Sequence, residues 1–203
     1  MNLLSTELLL AITSFAFVTS ATPGPNNIML TASGANFGFV RTLPHIAGIV
    51  GGVALLNLLI GLGLGALFEQ YPIMQQTLKV AGSAYLIWLA IKLLGFSYSD
   101  DDKDQTASPF SFMQALNFQY INPKAWVMVI SANASFSLSG EHYWLSVGFI
   151  ILIFALVGPP SIMLWAAFGQ MIRRYLKSPL FLKTFNTIMA ALTAGCVVFI
   201  WLG

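Results

Sequence analysis

Two short stretches carry polar groups able to do chemistry within an otherwise apolar chain. The first is Thr22-Pro23-Gly24-Pro25-Asn26-Asn27; the second is Asn122-Pro123-Lys124. A proline removes one backbone N–H and clashes with the carbonyl four residues earlier. Two prolines, a glycine and two amides in succession therefore stop a helix and restart it, and Pro25 suits the first turn of the new segment. A restarted helix presents unpaired N–H groups and a partial charge of about +0.5, which attract carboxylates. The segment before it ends in free carbonyls, which attract ammonium groups. A zwitterion fits between two such ends without any ionised side chain. At the second break Lys124 adds a cation. A lysine near a bilayer centre costs about 2.5–3.5 kcal/mol on insertion scales, so its presence there calls for a partner such as a solute carboxylate. The alternative is a lysine that snorkels to an interface.

Other candidates are weaker. His45 follows Pro44 near the start of an apolar run. An imidazole titrates between pH 5 and 8, which makes His45 the candidate proton carrier, against a plain hydrogen-bonded role at a helix end. Glu7 lies in the first turn of a helix, where an acid suits the dipole. Asn57 and Asn133 sit inside apolar runs and need partners, either each other's helices or a solute. Pro159-Pro160 after Gly158 reads as a kink, and the tryptophans as packing or interface anchors. Cys196 reads as a small buried hydrophobe. No His-Glu-x-x-His is present, and the acidic stretch Asp100–Asp104 reads as a solvated linker, so no metal site and no cofactor are expected. A Lys124–Ser131 dyad would be two helical turns apart, which disfavours an enzyme.

The elements that must position these residues follow from composition. The 203 residues are 57% hydrophobic and only 8% charged. An ordinary soluble domain carries about 25% charged residues. Lipid as solvent removes the need for a charged surface. The net charge of +2, without a basic cluster, gives no reason to expect nucleic acid as a partner. A crossing helix needs about 20 apolar residues. Clear runs are Leu43–Phe68, Ile73–Leu94, Trp144–Phe168 and Phe181–Leu202. Two longer runs are interrupted: Leu8–Phe37 at the first break and Phe110–Phe136 at the second. Counting each as one crossing predicts an all-α polytopic membrane protein of six transmembrane helices, with helices one and four broken at proline motifs; the alternative is a complete span ending near Ala21, followed by a short interfacial helix. No basic residue precedes the first run, so it reads as a retained helix and not a cleaved signal.

Charge placement supports that count. Loops one, three and five hold seven of the nine basic residues, among them Arg41, Lys92, Lys103, Arg173 and Arg174. Loops two and four hold Glu69, Glu141 and His142. Basic loops stay cytoplasmic, so both termini are expected to be periplasmic. The halves also correspond: the prolines of the breaks lie 98 residues apart, and the starts of the following helices 99 apart. Two three-helix units joined by a linker must insert with opposite orientation, because three is odd. The expected organisation is one transporter domain over 1–203, with a first repeat at 1–95, a cytoplasmic linker at 96–109 and an inverted second repeat at 110–203. Small-residue pairs at four-residue spacing, such as Gly48 with Gly52 and Ala191 with Gly195, read as helix-packing stripes.

Ser20-Ala-Thr-Pro-Gly-Pro-Asn-Asn-Ile28, then Gly34, Gly38, Pro44-His45 and Gly48, resemble the N-terminal signature of the LysE/RhtB superfamily of exporters. Asn122-Pro123-Lys124-Ala125 is similar to that family's downstream motif, and Gly82, Ala84-Tyr85-Leu86 and Lys92-Leu93 fit its pattern. The resemblance covers nearly the whole chain. It implies amino-acid export across a bacterial inner membrane, driven by the proton gradient. It points towards the subgroups that export homoserine, threonine, cysteine or O-acetylserine. Acids are scarce within the spans, which argues against a dicationic solute. The expected partners are a small zwitterionic solute, a neutral amino acid by preference, with protons and the bilayer; a homodimer is the assembly to test. A channel or uncoupled facilitator is the rival function, and a membrane-embedded enzyme a more distant one.

Overall fold

The computed structural model describes residues 5–65, 70–95 and 108–202. Glu69, Lys103 and the acidic stretch Asp100–Asp104 lie outside the described residues, as does most of the expected linker. The described residues form helices only, consistent with a polytopic membrane protein. Helix α1 spans Thr6–Ala21, α2 Pro25–Phe37 and α3 Phe39–Leu59, which runs on into a π-helical turn at Ile60–Leu64. Then follow α4 (Pro72–Leu94), α5 (Phe112–Phe118), α6 (Pro123–Phe136), α7 (Tyr143–Ile172) and α8 (Pro179–Leu202).

Local chemistry sets the boundaries. Ser5 caps α1 by accepting the Leu8 N–H, and Ser111 with Gln114 forms a capping box on α5. Pro25, Pro72 and Pro123 stand in the first turns of α2, α4 and α6, where a missing N–H costs nothing. Gly38 alone joins α2 to α3. Its φ of +85° lies in the left-handed region that glycine tolerates without penalty. The second apolar helix therefore begins at Phe39, ahead of the start expected near Leu43, and Pro44 lies inside it. Pro159 and Pro160 likewise lie inside the 30-residue α7, which continues through them.

Among the described residues, four stretches are long and apolar enough to cross a membrane: Phe39–Leu64, Gln76–Leu94, Gly140–Leu176 and Pro179–Val198. A fifth arises if α1 and α2, bent by 57° at the first break, count as one. The sixth expected crossing is not continuous helix. It is the seven-residue α5 followed by the 14-residue α6. At 1.5 Å per residue even α6 rises only about 21 Å, short of a hydrocarbon core of about 30 Å.

Helix α2 lies along α7, α4 along α8, and α3 against both α5 and α7, while α1 also packs on α7. Two of these contacts are close approaches of backbone. A Cβ on Gly34 would fall 2.1 Å from the Ala166 carbonyl oxygen, and one on Gly169 would fall 2.1 Å from that of Thr31. A Cβ on Gly48 would meet the Phe112 carbonyl oxygen at 2.3 Å. Gly34 is thus a packing residue, like Gly48 and Gly52. The stripe expected at Ala191 and Gly195 is not one, because nothing lies within 4 Å of a Cβ at Gly195. The largest core cluster runs through α1, α2, α3, α5, α6 and α7 around Leu30, Leu56, Val129 and Ile150. Asn57 and Asn133 join across it: the Asn133 amide donates to the Asn57 Oδ1 at 2.9 Å, so these residues serve helix–helix bonding.

Candidate functional site

The two breaks meet. Asn26 on α2 and Gln119, just past α5, exchange hydrogen bonds: Asn26 Nδ2 donates to Gln119 Oε1 at 2.8 Å, and Gln119 Nε2 donates to Asn26 Oδ1 at 3.2 Å. Lys124, half-buried at the first turn of α6, reaches back to the first break. Its Nζ donates to the Thr22 carbonyl at 2.5 Å and to the Pro23 carbonyl at 3.4 Å. Charge-assisted bonds of this kind are about twice as strong as neutral ones.

The carbonyls that end α1 were expected to be free, and they are not. Asn27 Nδ2 donates to the Ser20 carbonyl at 2.9 Å and to the Thr22 carbonyl at 2.7 Å. Trp165 Nε1 donates to the Ala21 carbonyl at 3.1 Å. The protein's own amide, indole and ammonium groups thus satisfy the severed helix end. The reason is general: an orphan carbonyl in an apolar setting is costly, so any donor within reach takes it.

The opposing helix ends differ. At the start of α2, Gly24 offers no side chain, and no side chain caps the helix. Gly24 also leaves room for Lys124, since a Cβ there would fall 2.7 Å from Lys124 Cδ and 3.1 Å from its Nζ. At the start of α6, by contrast, Asn122 caps its own helix by accepting the Lys124 N–H at 3.2 Å. Asn122 is therefore committed to local structure, and the uncapped N-terminus belongs to α2.

Gly24, Asn26, Asn27, Asn122 and Lys124 line one cavity of about 50 Å³, closed by α3 residues Ile49–Ala54 and by α7 from Ile151 to Ile162. At roughly 10–15 Å³ per water, it has room for a few waters and not for an amino acid. Ala155 is part of the wall. Pro159 lacks the N–H that a helix would direct to the Ala155 carbonyl.

His45 lies elsewhere. It is 1% exposed, packs edge-on against the Phe110 ring at 5.2 Å, and does not line the cavity between the breaks. It does not have the hydrogen-bonded role at a helix end that its position suggested, because neither ring nitrogen has a hydrogen-bond partner among the described residues. Gln119 and Trp165 escaped the sequence reading. Gln119 offered a signal, as an amide in an apolar run three residues before Asn122. Trp165 offered none, since nothing local distinguishes it from an interface anchor.

Paired interrupted helices joined by a buried polar cluster, within an otherwise apolar bundle, define a membrane protein built to pass a polar solute. Residues 17–202 match the LysE type translocator family, and the chain belongs to it. It is accordingly a transporter and not an enzyme. Among curated proteins it is similar to a cysteine/O-acetylserine efflux protein of Escherichia coli strain K12, 28% identical over 191 residues that make up 94% of this chain and 96% of the relative. The proteins of the same name from Escherichia coli O1:K1 and Shigella flexneri are 29% and 28% identical, each over the same 94% and 96% shares. No solved structure is matched.

Proposed function

We propose that this protein exports a small neutral amino acid or close derivative, of the cysteine or O-acetylserine type, across the bacterial inner membrane by alternating access in exchange for protons. Family membership and the relatives' names support amino-acid export. The observation that carries the mechanism is the seat of Lys124 on the Thr22 and Pro23 carbonyls. That seat is the one a solute ammonium would occupy. A solute entering between the breaks competes with Lys124 for the carbonyls, and the displaced lysine is then free to pair with the solute carboxylate. The uncapped start of α2, with Asn26 and Asn27, adds N–H groups for the same carboxylate. The lysine thus acts as a resident counter-cation that solute binding releases. The smallness of the cavity supports a closed conformation that must open to load.

Six crossings arranged as two inverted repeats remain the organisation we propose, with both termini periplasmic. Packing supports it: α3 of the first unit lies on α5 of the second, α7 of the second lies on α1 and α2 of the first, and the third helices α4 and α8 lie on each other. Proton coupling rests on His45, the intramembrane imidazole.

Counterflow in proteoliposomes against cysteine, O-acetylserine, threonine and homoserine, with and without a pH gradient, tests this reading. Trans-stimulated exchange that responds to the gradient is expected. Flux without trans-stimulation would assign a pore instead.

A further inference from the structure

A second cavity, separate from the breaks, lies at the other end of α2. Its volume is about 280 Å³, and Ser33, Asn36, His45, Trp88, Lys92 and Phe110 are among its walls. It shares no lining residue with the first cavity. From Asn27 to Asn36 is about 14 Å along α2, at 1.5 Å per residue. We propose that this cavity is a loading site, at which a zwitterionic α-amino acid docks before it reaches the breaks. The identity of the solute rests on the export reading above; the existence of the site does not.

Among the described residues, two polar side chains on its wall carry buried atoms without hydrogen-bond partners. Asn36 is 5% exposed and its Oδ1 accepts no hydrogen bond among the described residues. His45 is 1% exposed with both ring nitrogens unpartnered. Buried polar groups are nearly always satisfied, so two orphans on one cavity point to a group that completes them. Their chemistry specifies it. Asn36 Oδ1 can only accept, and a neutral imidazole offers one acceptor and one donor. Together they suit a group rich in N–H, such as an ammonium. At the rim, exposed Lys92 holds its Nζ 4.4 Å from the Trp88 ring centroid and offers donors only, which suits a carboxylate. An acceptor pair inside and a cation at the mouth match a molecule carrying both charges a few bonds apart.

The cavity is also large enough. Its volume sits just below the roughly 300–1,000 Å³ of drug-sized ligand sites, as befits a smaller solute. It lies at the end of the bundle that carries Arg41 and Lys92, the end that basic residues assign to the cytoplasm. An exporter must collect its solute there. A phosphatidylethanolamine headgroup shares this chemistry, so the test is run in vesicles of phosphatidylcholine and phosphatidylglycerol, which lack a primary ammonium.

The test is equilibrium binding of O-acetyl-L-serine, read from the fluorescence of Trp88, with Trp88→Phe as the control for its origin. Wild type should titrate saturably. Lys124→Ala, which disables the breaks, should bind within about threefold of wild type, whereas Asn36→Leu and His45→Leu should each weaken binding about tenfold or more. Neither leucine variant should lower the melting temperature, since each removes an unpartnered group. Lys92→Met, at the exposed rim, should weaken binding without touching the fold. The proposal is overturned if wild type shows no saturable signal, if Lys124→Ala abolishes it, or if the Asn36, His45 and Lys92 variants bind as wild type does. Absence of efflux from wild-type vesicles despite such binding would sink the export reading alone.

Discussion

Asn26 and Gln119, 93 residues apart in the chain, exchange two side-chain hydrogen bonds and so clamp one interrupted helix to the other. The pair fixes the distance over which Lys124 must reach to hold the Thr22 carbonyl. Gln119 is fully buried, and it also donates to the Ala115 carbonyl at 2.9 Å, which leaves its amide little freedom.

Removing one member strands the other. Asn26→Leu strands the fully buried Gln119 Oε1 and should destabilise the protein by about 1–3 kcal/mol, whereas Gln119→Leu strands the half-buried Asn26 and should cost less. The double variant should be less destabilised than the sum, with an interaction energy of about 0.5–3 kcal/mol in a thermal-denaturation cycle. Strict additivity would mean that the two side chains do not bond.

Lys124→Ala should abolish export while the protein still inserts and purifies at normal yield. Gly24→Ala tests the same seat from the other side. Its Cβ falls on the Lys124 side chain, which is flexible, so stability should drop by less than about 1 kcal/mol. Export should nevertheless fall about tenfold, because the ammonium is pushed from its carbonyls. Near-normal export by either well-expressed variant would remove Lys124 from the mechanism.

Gly34→Ala should behave in the opposite way. Its Cβ meets backbone at Ala166, with no side chain to yield, and overpacking of that kind costs about 1–3 kcal/mol or more. A lower melting temperature and yield are expected. Gly195→Ala, made into open space, should be neutral to within about 0.5 kcal/mol. Equal tolerance at both sites would contradict the close contact of α2 with α7.

Sidedness can be read by thiol labelling in a Cys196→Ala background. Glu141→Cys, on an exposed turn, should react with a membrane-impermeant reagent in whole cells, and Arg174→Cys only after permeabilisation. The reverse pattern would invert the topology.

Much of this protein was legible from local sequence. A chain with 8% charge cannot clothe a water-facing surface, and that alone makes it a membrane protein. Proline stereochemistry is local too, so both interruptions, and Pro25 as a helix-starting residue, followed from residue type. The motif around the first break was specific enough to indicate the family. What local reasoning could not decide is who satisfies whom. Carbonyls released at the first break look free in one dimension; in three, Asn27, Trp165 and Lys124 fill them from positions up to 144 residues away. His45 was expected near a helix end because its apolar run was read from Leu43, yet Phe39 starts the helix and packing buries the imidazole. Asn57 and Asn133 each needed a partner, and only the crossing of α3 with α6 made them each other's. Residue chemistry determines which groups must be satisfied, and that much can be read along the chain. Helix packing brings distant donors within about 3 Å of an acceptor, so the partners exist only once the chain has folded.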